Sequence, residues 1–150
     1  MDKYPESGVY LLYIKTKENI EIEVGALGEI KFPAGKYFYA GTAQKNLAAR
    51  IKRHYSSEKK LHWHIDYLLQ KADILDDFIF EFPREGECFL ADLLKNKGGK
   101  IKAAGFGASD CSCGSHLIYF DETHKEEFFY DILKKEKLTK EFKKFKMRSD

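Results

Sequence analysis

Apolar and polar residues alternate with a period of two through the first forty residues, and with a helical period after that. Val9, Leu11 and Tyr13 interleave with Tyr10, Leu12 and Ile14 in one aromatic and aliphatic run, the pattern of a strand buried on both faces. Ile20, Ile22 and Val24 alternate with Glu21 and Glu23, which predicts a half-exposed strand. Gly25 and Gly28 mark a turn. Residues 29–32 form a possible further strand ending at Pro33-Ala34-Gly35, and 37–41 form another. Strands in such close succession predict a meander with antiparallel pairing.

The helical period begins after Asn46, a plausible N-cap, with Leu47, Ile51 and Tyr55 on one face. Arg50 and His54, four apart, are neighbours on that helix. A second helix is expected over 61–72, with Leu61, Ile65, Leu68 and Ala72 inward. Residues 74–82 read as a strand, and Pro83 opens a helix running to about Leu94, ended by Lys97-Gly98-Gly99. The Gly- and Ser-rich stretch 103–115 predicts a loop before a strand at 116–120. Residues 126–146 predict a basic, peripheral helix broken near Lys137. The expected fold class is therefore α+β within the broader α/β group, a small antiparallel or mixed sheet flanked by helices. One domain covers 1–150, with a core over about 8–120 and a helical extension beyond it.

Composition fits that picture. The chain is 43% hydrophobic and 33% charged, ordinary for a soluble domain, and its 150 residues are enough for one core. The longest stretch without Lys, Arg, Asp or Glu is the ten residues from Cys111 to Phe120, half of what a membrane helix needs. No secretory pattern opens the chain, and three cysteines make a poor disulfide framework, so the reading is intracellular and cytoplasmic. Net charge is +2 but unevenly spread. Residues 36–60 hold seven cations against Glu58, residues 66–94 hold eight acids against two cations, and 134–150 hold eight cations against three acids. Such neighbouring blocks suit a site that attracts a polyanion and holds a cation within it, or else are solvated faces of different helices.

Gly8-Val9-Tyr10, Tyr39-Ala40-Gly41, Arg50 in a basic helix and Glu87 in a later helix follow one another in an order that resembles the GIY-YIG nuclease superfamily. The resemblance covers about residues 8–95. Beyond it, Trp63-His64-Ile65-Asp66-Tyr67 and Gly105-Phe106-Gly107-Ala108-Ser109-Asp110-Cys111 look like a poorly characterised prokaryotic branch, known mainly as a domain of unknown function. The resemblance implies a metal-dependent endonuclease with Tyr10, Tyr39, Arg50 and Glu87 in its site. Many family members also carry an asparagine after the Glu-bearing helix. Asn96 is the nearest here, with Ser109 or Ser115 as substitutes.

Those residue types suit phosphodiester hydrolysis, which needs a base, a cation and stabilisation of the leaving oxygen. Glu87 would hold Mg²⁺ or Mn²⁺, and the Arg50 guanidinium would take two phosphate oxygens. Tyr10 or Tyr39 would face the attacking water, but an ordinary phenol is only about one part in a thousand ionised at pH 7. A base role requires nearby cations, for which Lys36, Lys45, Arg50 and His54 are candidates, and His54 competes for the role itself. Lys36, Lys45, Arg50, Lys52, Arg53, His62, His64 and the basic stretch 134–148 would contact nucleic acid, DNA more than RNA. His62 or His64 matches a histidine some family members place beside the phosphate. Each residue also has a plainer role: Tyr10 and Tyr39 as sheet aromatics, Arg50 and His54 as surface neighbours, Glu87 as a helix-dipole partner. Cys88, Cys111, Cys113 and His116 are four zinc-type ligands at an unusually tight spacing, with Asp110 a further candidate for the phosphate site. A non-catalytic nucleic-acid-binding module and a zinc or thiol interaction domain are the competing functions. A targeting partner or a second copy is expected for so small a domain. No P-loop, His-Glu-x-x-His or Gly-x-Ser-x-Gly motif is present.

Overall fold

The computed structural model describes residues 4–107 and 114–149. Its chain order is β1 (Gly8–Thr16), β2 (Ile20–Glu23), β3 (Glu29–Phe32), β4 (Gly35–Ala43), α1 (Leu47–Tyr55), α2 (His64–Leu69), β5 (Asp73–Phe80), α3 (Gly86–Asn96), β6 (Leu117–Phe120), α4 (Glu126–Ile132) and α5 (Lys135–Ser149). Four strands form an antiparallel sheet in the order β5-β1-β4-β6, and β2 and β3 pair only with each other. The fold is α+β, as expected from the sequence.

The sheet is not the expected simple meander. β1 skips the two short strands that follow it and pairs with β4 along nine residues, from Gly8 opposite Ala43 to Thr16 opposite Gly35. The reason is hydrophobic: β1 and β4 are apolar on both sides, whereas β2 and β3 alternate with glutamate and lysine and can bury only one. Antiparallel sheets commonly leave one face in water. Here both faces are covered, making three layers.

Strand alternation sorts the core into two halves. Val9, Leu11, Tyr13, Phe38 and Ala40 face α3, α4 and α5, where Phe129, Leu138 and Phe142 are also buried. Tyr10, Leu12, Ile14, Tyr37 and Tyr39 face α1, α2 and the small hairpin. The C-terminal helices are therefore not peripheral. They also divide earlier than Lys137, at Leu133 and Lys134, so that Ile132, Leu133 and Leu138 can all turn inward.

Local starts differ from the expected ones for identifiable reasons. Asn46 does precede α1, but with a left-handed backbone and no side-chain cap. Glu6 caps instead, its carboxylate accepting from the Asn46 N–H at 2.9 Å and its carbonyl from the Leu47 N–H at 3.1 Å. α3 begins at Gly86 rather than Pro83 because 83–86 close a turn, with the Gly86 N–H donating to the Pro83 carbonyl. A Cβ on Gly86 would stand 2.6 Å from the Phe82 Cβ, so glycine lets the helix start against that ring. Among the described residues no helix is long and apolar enough to cross a membrane.

Phe129 is fully buried, in tilted contact with Tyr13 and Phe38 and edge-to-face with Phe120. Phe129→Ala is expected to lower unfolding free energy by about 3–5 kcal/mol in urea titrations. A loss under about 1 kcal/mol would mean α4 is not integral to the core.

Candidate functional site

At one end of the sheet, β1, β4, α1, the start of α2 and the start of α3 enclose a cleft of about 500 Å³. Tyr10, Tyr39, Arg50 and Glu87, separated by up to 77 positions in sequence, all line it. His62, His64 and His116 line it too.

Tyr10 owes its placement to β-pairing. It stands opposite Gly41, and any Cβ there would overlap the Tyr10 ring. The phenol oxygen lies 2.7 Å from His54 Nε2. His54 is 2% exposed and is not among the residues lining the cleft, so it sits behind Tyr10. Burial drives its pKa down to about 3, helped by Lys59, so the imidazole is neutral at neutral pH. Its Nδ1 is buried with no hydrogen-bond partner. Burial likewise raises the Tyr10 phenol far above its ordinary value, against the opposing pull of Arg50. Tyr39 is raised chiefly by burial as well. Neither tyrosine is a resting phenolate. Two neutral arrangements satisfy the Tyr10–His54 contact, with either the phenol or the imidazole as donor.

α1 aims Arg50 and His54 to the same side, one turn apart. The Arg50 guanidinium donates to the Thr42 carbonyl at 3.0 Å and lies 4.4 Å from the Trp63 ring centroid. Arg53 shares Trp63 at the same distance but is committed elsewhere. It grips both Asp66 oxygens at 2.9 Å and the Lys60 carbonyl. Burial alone would raise the Asp66 carboxyl; the Arg53 fork and the N–H groups of Trp63 and His62 outweigh it and hold it below the ordinary range. Those same bonds use Asp66 to fix the entry to α2, which begins at His64 rather than 61.

Glu87, second residue of α3, points a partly exposed carboxylate into the cleft, with Oε1 3.5 Å from Nδ1 of the buried His116. His116 also lies 3.8 Å from Cys88 Sγ. Cys88 is disulfide-bonded, contrary to the reading of the cysteines as unpaired, and in that state its sulfur is no zinc ligand. Cysteine spacing carries no information on such pairing. Cys111 and Cys113, like Ser109 and Asp110, lie outside the described residues. Across the cleft, His64 Nδ1 accepts from the Gly107 N–H at 2.9 Å, which fixes its tautomer with the proton on Nε2. Burial lowers the pKa of both His64 and His116.

Several expected site residues stand elsewhere. Lys36 is buried on the opposite face of the sheet, on the side of Phe38, and donates to the His124 carbonyl at 2.6 Å. Strand parity decides this: an even-numbered β4 residue cannot share a face with Tyr39. Lys45 and Lys52 are exposed but outside the cleft lining, and Arg53 is structural. Asn96 is at the far end of α3, and the Ser115 hydroxyl is used by Leu117, so neither fills the asparagine's place. Thr42 and Arg84 carry no expected site role in the sequence, and Gly107 enters there only within the Gly105-Phe106-Gly107 motif. Only Arg84, two residues before the glycine that starts α3, carried a signal in its charge.

Acid sensitivity follows from His54. The unfolded chain binds a proton near pH 6.5 and the folded one only near 3, so stability falls as pH drops through that window. Melting temperature is expected to decline more steeply between about pH 6.5 and 4 for the wild type than for His54→Gln. Parallel declines would place the acid sensitivity elsewhere.

A family model described as "Domain of unknown function DUF123" matches residues 9–138. No curated protein and no solved structure matches the chain. The matched span includes every described cleft residue from Tyr10 to His116 and all of the buried core except Phe142. The chain belongs to the DUF123 family, a domain of unknown function.

Proposed function

We propose that the cleft hydrolyses phosphodiester bonds of nucleic acid inside the cell, DNA in preference to RNA, in the manner of the GIY-YIG nucleases that its motifs resemble. The observation that carries this reading is convergence: Tyr10, Tyr39, Arg50 and Glu87 come from four separate elements and line one cleft.

Each group has work suited to its surroundings. A guanidinium has five donors, so the single bond to Thr42 leaves others for a phosphate oxygen, and Trp63 holds the plane. The His64 Nε2–H supplies a neutral donor in the same cleft, which makes His64 the better of the two histidines for that task. Tyr10 takes the proton of the attacking water on its oxygen while its own phenol proton passes to His54 Nε2. The phenol-donor arrangement of the pair is the one this transfer uses. His54 is then a relay behind Tyr10 rather than a competitor for the water. An anionic phosphate bound at Arg50 favours the imidazolium so formed.

Mg²⁺ or Mn²⁺ fits Glu87. Such hard ions need one or two carboxylates and otherwise keep their waters. Glu87 offers one carboxylate on an open wall, steadied by His116, and no cluster of three or more His, Cys, Asp or Glu occurs among the described residues. When bound, the ion neutralises charge that develops on the phosphate and leaving oxygen.

Glu87→Gln is expected to slow cleavage about 10²–10³-fold at unchanged nucleic-acid affinity, because the swap keeps shape and removes charge. Tyr10→Phe should do the same, with His54→Gln intermediate. The assay is cleavage of labelled duplex, branched and single-stranded DNA and RNA with Mg²⁺, Mn²⁺ or chelator. Binding without any cutting by the wild type would replace this reading with a binding module; full activity in Glu87→Gln would end it.

A further inference from the structure

The cleft continues past its rim. A second hollow of about 400 Å³ adjoins it at the end of the central ribbon, where β1 begins and β4 stops. The two share Thr42, Arg84 and Glu85 as a common wall. Hydrogen bonds fix both sides of this hollow. On one side the carboxylate and carbonyl of Glu6 accept from the Asn46 and Leu47 N–H groups, which ties the segment after Gln44 to the start of β1. On the other, the Gly86 N–H closes the 83–86 turn onto the Pro83 carbonyl at 2.8 Å.

Its chemistry differs from that of the cleft. Ala43, Phe82 and the exposed Pro83 ring give it apolar surface, while Ser7 and Gln44 are exposed polar groups on its edge. In the shared wall, Glu85 is paired with Lys146, so the charge presented there is that of Arg84. The Thr42 hydroxyl is buried in the same wall with no hydrogen-bond partner among the described residues, a cost that an entering polar group removes. A guanidinium between two hollows suits the phosphate that links two nucleosides. The Pro83 ring offers a surface for a base or sugar, and the Gln44 amide, both donor and acceptor, suits any base edge. In a duplex the base faces are covered by stacking and cannot reach Pro83.

We infer that this hollow is a second nucleotide subsite, which takes the nucleoside next to the phosphate held at Arg50, with its base unpaired. This rests on the cleft being a nucleic-acid site. It narrows the substrate to a strand that is single-stranded beside the cut, and it makes Arg84 the contact for the linking phosphate.

The test compares wild type with Gln44→Glu, which keeps shape and opposes an anionic strand, and with Ser7→Phe, which fills the hollow. Both positions are exposed and lie outside the cleft lining. Calorimetry with chelator present measures the affinities of thymidine monophosphate, trithymidylate, and a single strand and a blunt hairpin matched in phosphate number. Wild type should bind the trinucleotide about 10–100-fold more tightly than the mononucleotide, and each variant should cut that step to under about 3-fold at unchanged mononucleotide affinity. The single strand should bind more tightly than the hairpin, and only the single strand should weaken in the variants. A trinucleotide bound no more tightly than the mononucleotide, or a step that both variants keep, overturns the inference, while cutting by the wild type leaves the cleft reading intact. Equal loss of hairpin and single-strand binding in the variants overturns the unpaired base. A step that the variants abolish in a protein that never cuts supports the subsite and sinks the catalytic reading, and no binding of any of the four ligands sinks both.

Discussion

Everything in this domain hangs on the nine-residue antiparallel register between β1 and β4. It makes a central ribbon that is apolar on both sides, so helices must cover both, and strand parity then decides which residues meet. Tyr10 is set opposite Gly41 and on the same side as Tyr39, which brings two tyrosines from distant segments to one cleft. A slip of one residue would put Tyr10 on the face of Lys36 and Phe38 and part it from Tyr39, so the two tyrosines could no longer share a cleft.

The cleft's polar groups are arranged in two depths. At the surface stand Arg50, His64 and Glu87, groups that a charged ligand can touch. Behind them are groups that hold or tune: Thr42 on Arg50, Gly107 on His64, His116 beside Glu87 and His54 on Tyr10. The proposed chemistry uses the outer set together with Tyr10 and its relay His54, and the remaining inner groups explain why single substitutions at buried positions should alter it. α5 adds a third place where charge is concentrated, joined to the rim through Lys146 and Glu85.

Much of this was legible in the sequence. Alternation along 9–14 gave a doubly buried strand, and the order of Gly8-Val9-Tyr10, Tyr39-Ala40-Gly41, Arg50 and Glu87 singled out residues that do share a cleft. The failures were failures of range. Charge near Tyr39 in sequence put Lys36 with the site, but parity on a strand separates adjacent residues by the thickness of the sheet. Arg53 looked like a phosphate ligand because Asp66, thirteen residues on, is invisible to local pattern. The C-terminal helices looked peripheral because lysines crowd the stretch that forms α5, while five well-spaced apolar residues across α4 and α5 decide their packing. Pairing of sulfurs leaves no local trace at all.

His54 sets function against economy of folding. An imidazole held at 2% exposure with Nδ1 unpartnered is an expensive way to fill that space, since burying a polar atom without a partner costs about 1–3 kcal/mol. An apolar side chain of similar size would fill it more cheaply and leave the Tyr10 hydroxyl without its acceptor. Selection for stability alone would therefore move this position away from histidine. A library screened for thermal tolerance and one screened for chemistry should diverge there first.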